Sequence, residues 1–153
     1  MTKLAEALIQ RADYQKRIDQ LRQRALRVAK VQDGDVPAEN PAALLDEMER
    51  IAADLVLLIQ RINRTNAATR LDNGGTIADA IALRDGLRLR HNVYTGLAEA
   101  AVVKQDRYSK SEVRFVSTVD VGDMQRRADD LARAYRELDT RIQSANWQVD
   151  LLD

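Results

Sequence analysis

Cysteine is absent from the 153-residue chain. That excludes a disulfide framework, a thiolate zinc site and a cysteine nucleophile. Histidine is nearly absent. His91 stands alone, so no two-histidine metal site can form within one chain, and a multi-histidine site would need several subunits. Aromatics make up 4% and prolines number 2, a composition that disfavours a β-sandwich of β-branched and aromatic strands. An excess of either charge is also missing. The 24 Lys+Arg balance the 24 Asp+Glu, and zero net charge argues against a general polyanion binder, so no nucleic-acid partner is expected. Long apolar runs are missing too. Residues 52–59 are broken by Asp54, far short of the roughly 20 residues a membrane-spanning helix needs. The opening residues, MTKLAEALIQRADYQKR, carry charges every few positions and lack a signal peptide's apolar core. The expectation is a soluble cytoplasmic protein with no membrane partner, folded as one helical domain over residues 1–153.

Helical periodicity is what the chain has instead. In residues 2–31, steps of three and four select Leu4, Ala7, Arg11, Tyr14, Ile18, Leu21, Ala25 and Val28. All but Arg11 are apolar or aromatic, the pattern of a coiled-coil seam. Gly34, Pro37 and several acids break the period in residues 32–40. Asn40 then suits a helix N-cap, with Pro41 at the first helical position. The second seam runs Leu44, Met48, Ile51, Leu55, Leu58, Ile62, Thr65, and Gly74-Gly75 provide a stop. Thr76 with Asp79 opens a third helix, expected to reach about residue 105, with seam Leu83, Leu87, Arg90, Tyr94, Leu97 and Ala101. Gly86 and Gly96 lie inside it, at a cost of about 1 kcal/mol each relative to Ala. Such glycines suggest close approach of another helix, between subunits. Residues 113–119 are rich in β-branched residues and read as a short extended segment or strand needing a partner. Asp120 caps the last helix, whose seam is Val121, Met124, Ala128, Leu131, Tyr135, Leu138, Ile142, Ala145 and Val149.

The fold class expected is therefore all-α, with four long helices in an antiparallel, coiled-coil-like bundle. Helices of about 25 to 30 residues would be about 37 to 45 Å long. Narrow seams on rods of that length leave apolar edges over, so assembly with further copies, as a dimer or higher homo-oligomer, is expected.

Two polar clusters stand out. Residues 63–70, NRTNAATR, place poor helix formers beside two arginines near a helix end. They can close the bundle end by satisfying loop backbone groups. Alternatively Arg64, Asn66 and Arg70 can hold an anion or small polar ligand, because guanidinium offers a fork of donors. Residues 106–112, DRYSKSE, resemble a phosphate-handling loop in composition but lack its glycines. They can form a turn capped by Ser109 or Ser111, or bring Arg107 and Tyr108 to the same ligand across a subunit contact. His91, one step off the chosen seam, reads as packing or surface. The basic second half of the first helix suits the helix dipole, with Asp33, Asp35 and Glu39 available to neutralise it. Trp147 reads as an anchor for the last helical turn or a subunit contact. No triad, paired-carboxylate site or nucleophile elbow is present in the pattern, so no catalytic residues, metal or cofactor are assigned and the chain is not expected to be an enzyme.

Several stretches together resemble a family of small, uncharacterised bacterial helical proteins often labelled septicolysin. They are KLAEAL at residues 3–8, AKVQDGD at 29–35, INRTNAATR at 62–70, RYSKSEVRFVSTVDV at 107–121 and ELDTRIQSANW at 137–147. The resemblance spans nearly the whole chain. It implies an all-helical, oligomeric, cytosolic protein without assigned activity, and brings no catalytic residues. The label points to cholesterol-dependent pore formers, which are large, secreted and β-rich. This chain has one Trp and no alternating strands long enough for a membrane barrel. The function expected is a self-assembling structural or interaction protein; the alternative is a small-anion or polar-ligand binder with the intersubunit site just described.

Overall fold

A computed structural model of the chain describes residues 1–72, 74–103 and 113–153. Among these described residues there are four helices: α1 (Leu4–Arg27), α2 (Pro41–Ala68), α3 (Ile77–Ala100) and α4 (Val121–Gln148). No strand occurs among the described residues. Residues 113–119, expected to be extended, form no strand, and Phe115 and Val116 project into solvent. The helix starts follow their caps. Asn40 Oδ1 accepts from the Ala42 amide at 3.0 Å, and Asp120 Oδ1 accepts from the Asp123 amide at 3.0 Å. The ends fall earlier than the periodicity suggests. α1 stops at Arg27 rather than Val31, and α3 stops at Ala100. Apolar spacing alone carries no information about where backbone hydrogen bonding ceases. The chain divides into two compact units, Met1–Ile77 with Gln143–Asp153, and Ala78–Ile142.

In the first unit α1 and α2 form an antiparallel pair. Arg17 donates to Glu47 Oε1 through Nε at 3.0 Å and Nη2 at 2.6 Å. Arg24 and Glu39 pair at the other end of α1, so Glu39 neutralises part of that helix's basic half. Every residue of the expected α1 and α2 seams is buried or half-buried, with Leu4, Leu21, Ile62 and Thr65 almost fully enclosed. Between α2 and α3 the chain closes a tight turn. The Ile77 amide reaches Thr69 O at 3.0 Å, and the Leu71 amide reaches Gly75 O at 2.8 Å. Gly74, at φ +93°, supplies the left-handed residue; Gly75 does not need to.

The segment after α4 completes this unit. The Leu4 amide donates to Val149 O at 2.9 Å, and the Leu151 amide donates to Thr2 O at 2.8 Å, around an antiparallel bridge of Lys3 with Asp150. Lys3 Nζ also meets Asp150 Oδ1 at 2.8 Å. Ala145 and Asn146 are buried, whereas Trp147 is 56% exposed. Trp147 is thus no anchor within the chain. It lies two residues past Ala145, about 200° round the helix from the buried seam.

In the second unit α3 runs antiparallel to α4. Arg84 faces Asp139 near one end, and Tyr94 faces Arg127 near the other. The inner stripe of α3 is only in part the one expected: Leu87 is buried and Tyr94 and Ala101 are half-buried, but the other three seam positions are not. Leu83 is 58% exposed, and Arg90 and Leu97 also face outward. The buried stripe instead runs through Ala80, Leu87 and Ala98, with Arg84, His91 and Tyr94 half-buried along it. α3 carries apolar residues on more than one side, so its phase is ambiguous from spacing alone. On α4 the expected seam is correct throughout this unit: Ala128, Leu131, Leu138 and Ile142 are buried.

Candidate functional site

A cleft of about 310 Å³ opens between α3 and α4 in the second unit. From α3 and its exit come His91, Thr95, Ala98, Glu99 and Val102; from α4 come Gln125, Ala128 and Asp129. Steps of three and four put His91, Thr95, Ala98 and Val102 on one flank of α3. Antiparallel pairing sets the first turns of α4 opposite them. Ala98 and Ala128 are buried, which leaves room where larger side chains would close the groove. His91 Nε2 lies 3.4 Å from Thr95 Oγ1, and its Nδ1 lies 3.5 Å from Asn92 Oδ1.

The carboxylates of the cleft differ from their neighbours. Asp123 is engaged by Arg126 and Arg127, Asp85 by Arg84 and Arg88, and Asp139 by Arg84. Glu99 and Asp129 carry no ion pair among the described residues, and none of the described residues lining the cleft is a Lys or Arg. No group of three or more His, Asp or Glu among the described residues is placed to hold a metal ion. The cleft can therefore accept hydrogen-bond donors and positive charge against a small apolar wall.

Sequence reasoning missed this place. His91 lies one step off the expected seam, and Glu99 follows it two turns later on the same helix. A groove that both can border requires the second helix. The pairing of Arg84 with Asp139 was missed for the same reason. Arg84 Nη1 donates to Asp139 Oδ1 at 2.8 Å, while its Nε is buried without a hydrogen-bond partner. Burial works against the Arg84 charge, but the hydrogen bond to Asp139 and the fields of Asp139, Tyr135 and Asp85 outweigh it, so its pKa is raised.

The residues singled out for an anion site are placed in the first unit or lie outside the described residues. Arg64 is exposed and donates through Nε to Asp153 O at 2.8 Å. Arg70 is exposed and donates through Nη1 to Gly74 O at 2.9 Å. Asn66 is half-buried on the last turns of α2. Arg107 and Tyr108 lie outside the described residues. Around Arg64, the polar stretch grips the C-terminal segment. Arg61 donates to Leu152 O at 3.1 Å and pairs with Asp153 at 2.9 Å, and the Leu152 amide donates to Thr65 Oγ1 at 3.0 Å.

A second feature lies on the outward side of α3. Leu89 and Val93 are 67% and 66% exposed, flanked by exposed Leu83 and Leu97. A Cβ added at Gly86 or Gly96 would meet nothing within 4 Å. Among the described residues the two glycines answer to no close neighbour.

The sequence profile of a family of unknown function (DUF6847) matches residues 11–151. The chain belongs to this family. Another protein of this fold has a crystal structure, described as that of a functionally unknown conserved protein from Corynebacterium diphtheriae. It is similar to this chain with a TM-score of 0.92 and 46% identity, over 99% of each chain. No curated protein matches. The DUF6847 match supports the expectation of an uncharacterised family, does not show the septicolysin label, and brings no activity.

Proposed function

We propose that this protein is a non-catalytic, self-associating helical interaction protein, and that the outward face of α3 receives a second copy of the chain. One observation carries the reading: Leu83, Leu89, Val93 and Leu97 are exposed on a helix that also offers Gly86 and Gly96 as open notches. Large exposed apolar side chains clustered on one face mark an association surface more often than scattered ones do. The face is complementary to itself. An antiparallel copy crossing near positions 89 and 90 sets Val93 over the partner subunit's Gly86, and Leu83 over the partner subunit's Gly96. Such an arrangement is isologous and closes as a two-fold dimer. Among the described residues no helix is long and apolar enough to cross a membrane, and the septicolysin label contributes nothing to this reading.

The test uses the absence of cysteine. A single Leu89→Cys or Arg90→Cys variant should form a disulfide-linked dimer under mild oxidation, since those positions meet their own copies across the axis. Arg136→Cys, exposed on α4, should not. Native mass spectrometry should show an integer oligomer that Val93→Glu reduces to monomer. A strict monomer at every concentration would sink the proposal.

A further inference from the structure

We propose that the cleft between α3 and α4 is a binding site for a small organic ammonium compound, an aliphatic amine or diamine. Its polar lining carries two carboxylates, Glu99 and Asp129, and neither is ion-paired among the described residues, although the neighbouring Asp85, Asp123 and Asp139 each meet an arginine. An unpaired carboxylate beside apolar surface gains most from a charged donor, because charge-assisted hydrogen bonds are shorter and stronger than neutral ones. An ammonium group supplies several such donors from one atom and no acceptor. Thr95, Gln125 and His91 add acceptor positions around the same volume. Ala98, Ala128 and Val102 form the apolar wall on which methylene groups would lie. At about 310 Å³ the cleft suits a ligand of a few heavy atoms and is at the small end for a larger cofactor. A bare metal ion fits less well, since no three His, Asp or Glu among the described residues converge on one point. An anion would meet two negative charges and, among the described residues, no Lys or Arg in the lining. The site is separate from the outward face of α3 and does not depend on self-association.

The experiment is a nitrogen-15 NMR titration of the whole protein with 1,4-diaminobutane, and in parallel with butyrate and with magnesium. The diamine should produce saturable shifts at Thr95, Ala98, Gln125 and Ala128, while butyrate produces none. Glu99→Gln and Asp129→Asn should each weaken binding about tenfold, the loss of one charge-assisted contact. Asp130→Asn, exposed on α4 and outside the cleft, should bind as the parent does. Both cleft residues are exposed, and an unchanged far-ultraviolet spectrum verifies that the isosteric variants fold. No saturable shift with diamine, an equal response to butyrate, or undiminished binding in both cleft variants would overturn the proposal. Magnesium matching the diamine would also overturn it, by reassigning the cleft to inorganic cations.

Discussion

Thr65 Oγ1 accepts the Leu152 amide at 3.0 Å and donates to Arg61 O at 2.8 Å, while the Thr65 side chain is entirely withdrawn from solvent. One hydroxyl thus satisfies a helix carbonyl and fixes a segment 87 residues away. A β-branched apolar residue would match the shape and fail both bonds. Thr65→Val should cost about 1 to 3 kcal/mol, the penalty for a buried amide left unpaired. Chemical denaturation measures the loss, and hydrogen exchange should show the Leu152 amide released first. An unaltered midpoint would mean that water replaces the hydroxyl.

Arg84 and Asp139 make a second claim on stability. Both are partly enclosed, and the Arg84 charge depends on Asp139 for its compensation. Asp139→Asn should destabilise the protein by about 1 to 3 kcal/mol, because a half-buried guanidinium loses its carboxylate. Adding Arg84→Met should recover part of that loss. A double-mutant cycle with no coupling energy would show that the pair is screened like an ordinary surface contact.

Acid sensitivity should follow Glu39. The hydrogen bonds from Arg24 hold its pKa below the ordinary 4.5, against a smaller opposing effect of desolvation. A carboxyl depressed in the folded state contributes stability above its unfolded pKa, and that contribution is lost as pH falls through the folded value. The parent protein should therefore lose more stability below pH 4.5 than Glu39→Gln does, with the two running parallel near neutrality. Thermal melts across the acid range compare them. Parallel curves throughout would remove Glu39 from the acid response.

Gly86→Ala and Gly96→Ala should each stabilise the protein by about 1 kcal/mol, the difference in helix propensity. Each added methyl group enters open space within the chain. Melting midpoints at low protein concentration read this effect. A loss of stability on either change would mean that another backbone already occupies that space.

Much of the fold is legible in the sequence, for a physical reason. In α1 and α4 charged residues flank a single apolar line, and α2 keeps its seam inward although Leu45, Val56 and Leu57 are exposed; the structure buries or half-buries these lines from Leu4 to Val28, Leu44 to Thr65 and Val121 to Val149. α3 lacks that contrast. Leu83, Leu89 and Val93 compete with Ala80, Leu87 and Ala98 for the inner side, and the structure buries the second set. A stripe of Ala, Arg, Leu, His, Tyr and Ala at positions 80, 84, 87, 91, 94 and 98 was readable only by accepting Arg84 as an inner residue. Its justification, Asp139, lies 55 residues along the chain. The cleft was hidden for a related reason. Glu99 and Asp129 acquire meaning from facing one groove, and no spacing within either helix encodes that meeting.

The ends of a chain are ordinarily its first parts to open. Here residues 2–4 and 149–151 hold each other by two backbone hydrogen bonds and a lysine–aspartate contact, next to Leu4, which no solvent touches. Fraying on one side strips the other of its partners and uncovers a core leucine. Residues 2–4 and 149–151 therefore behave as a single cooperative element, fastened without a covalent link.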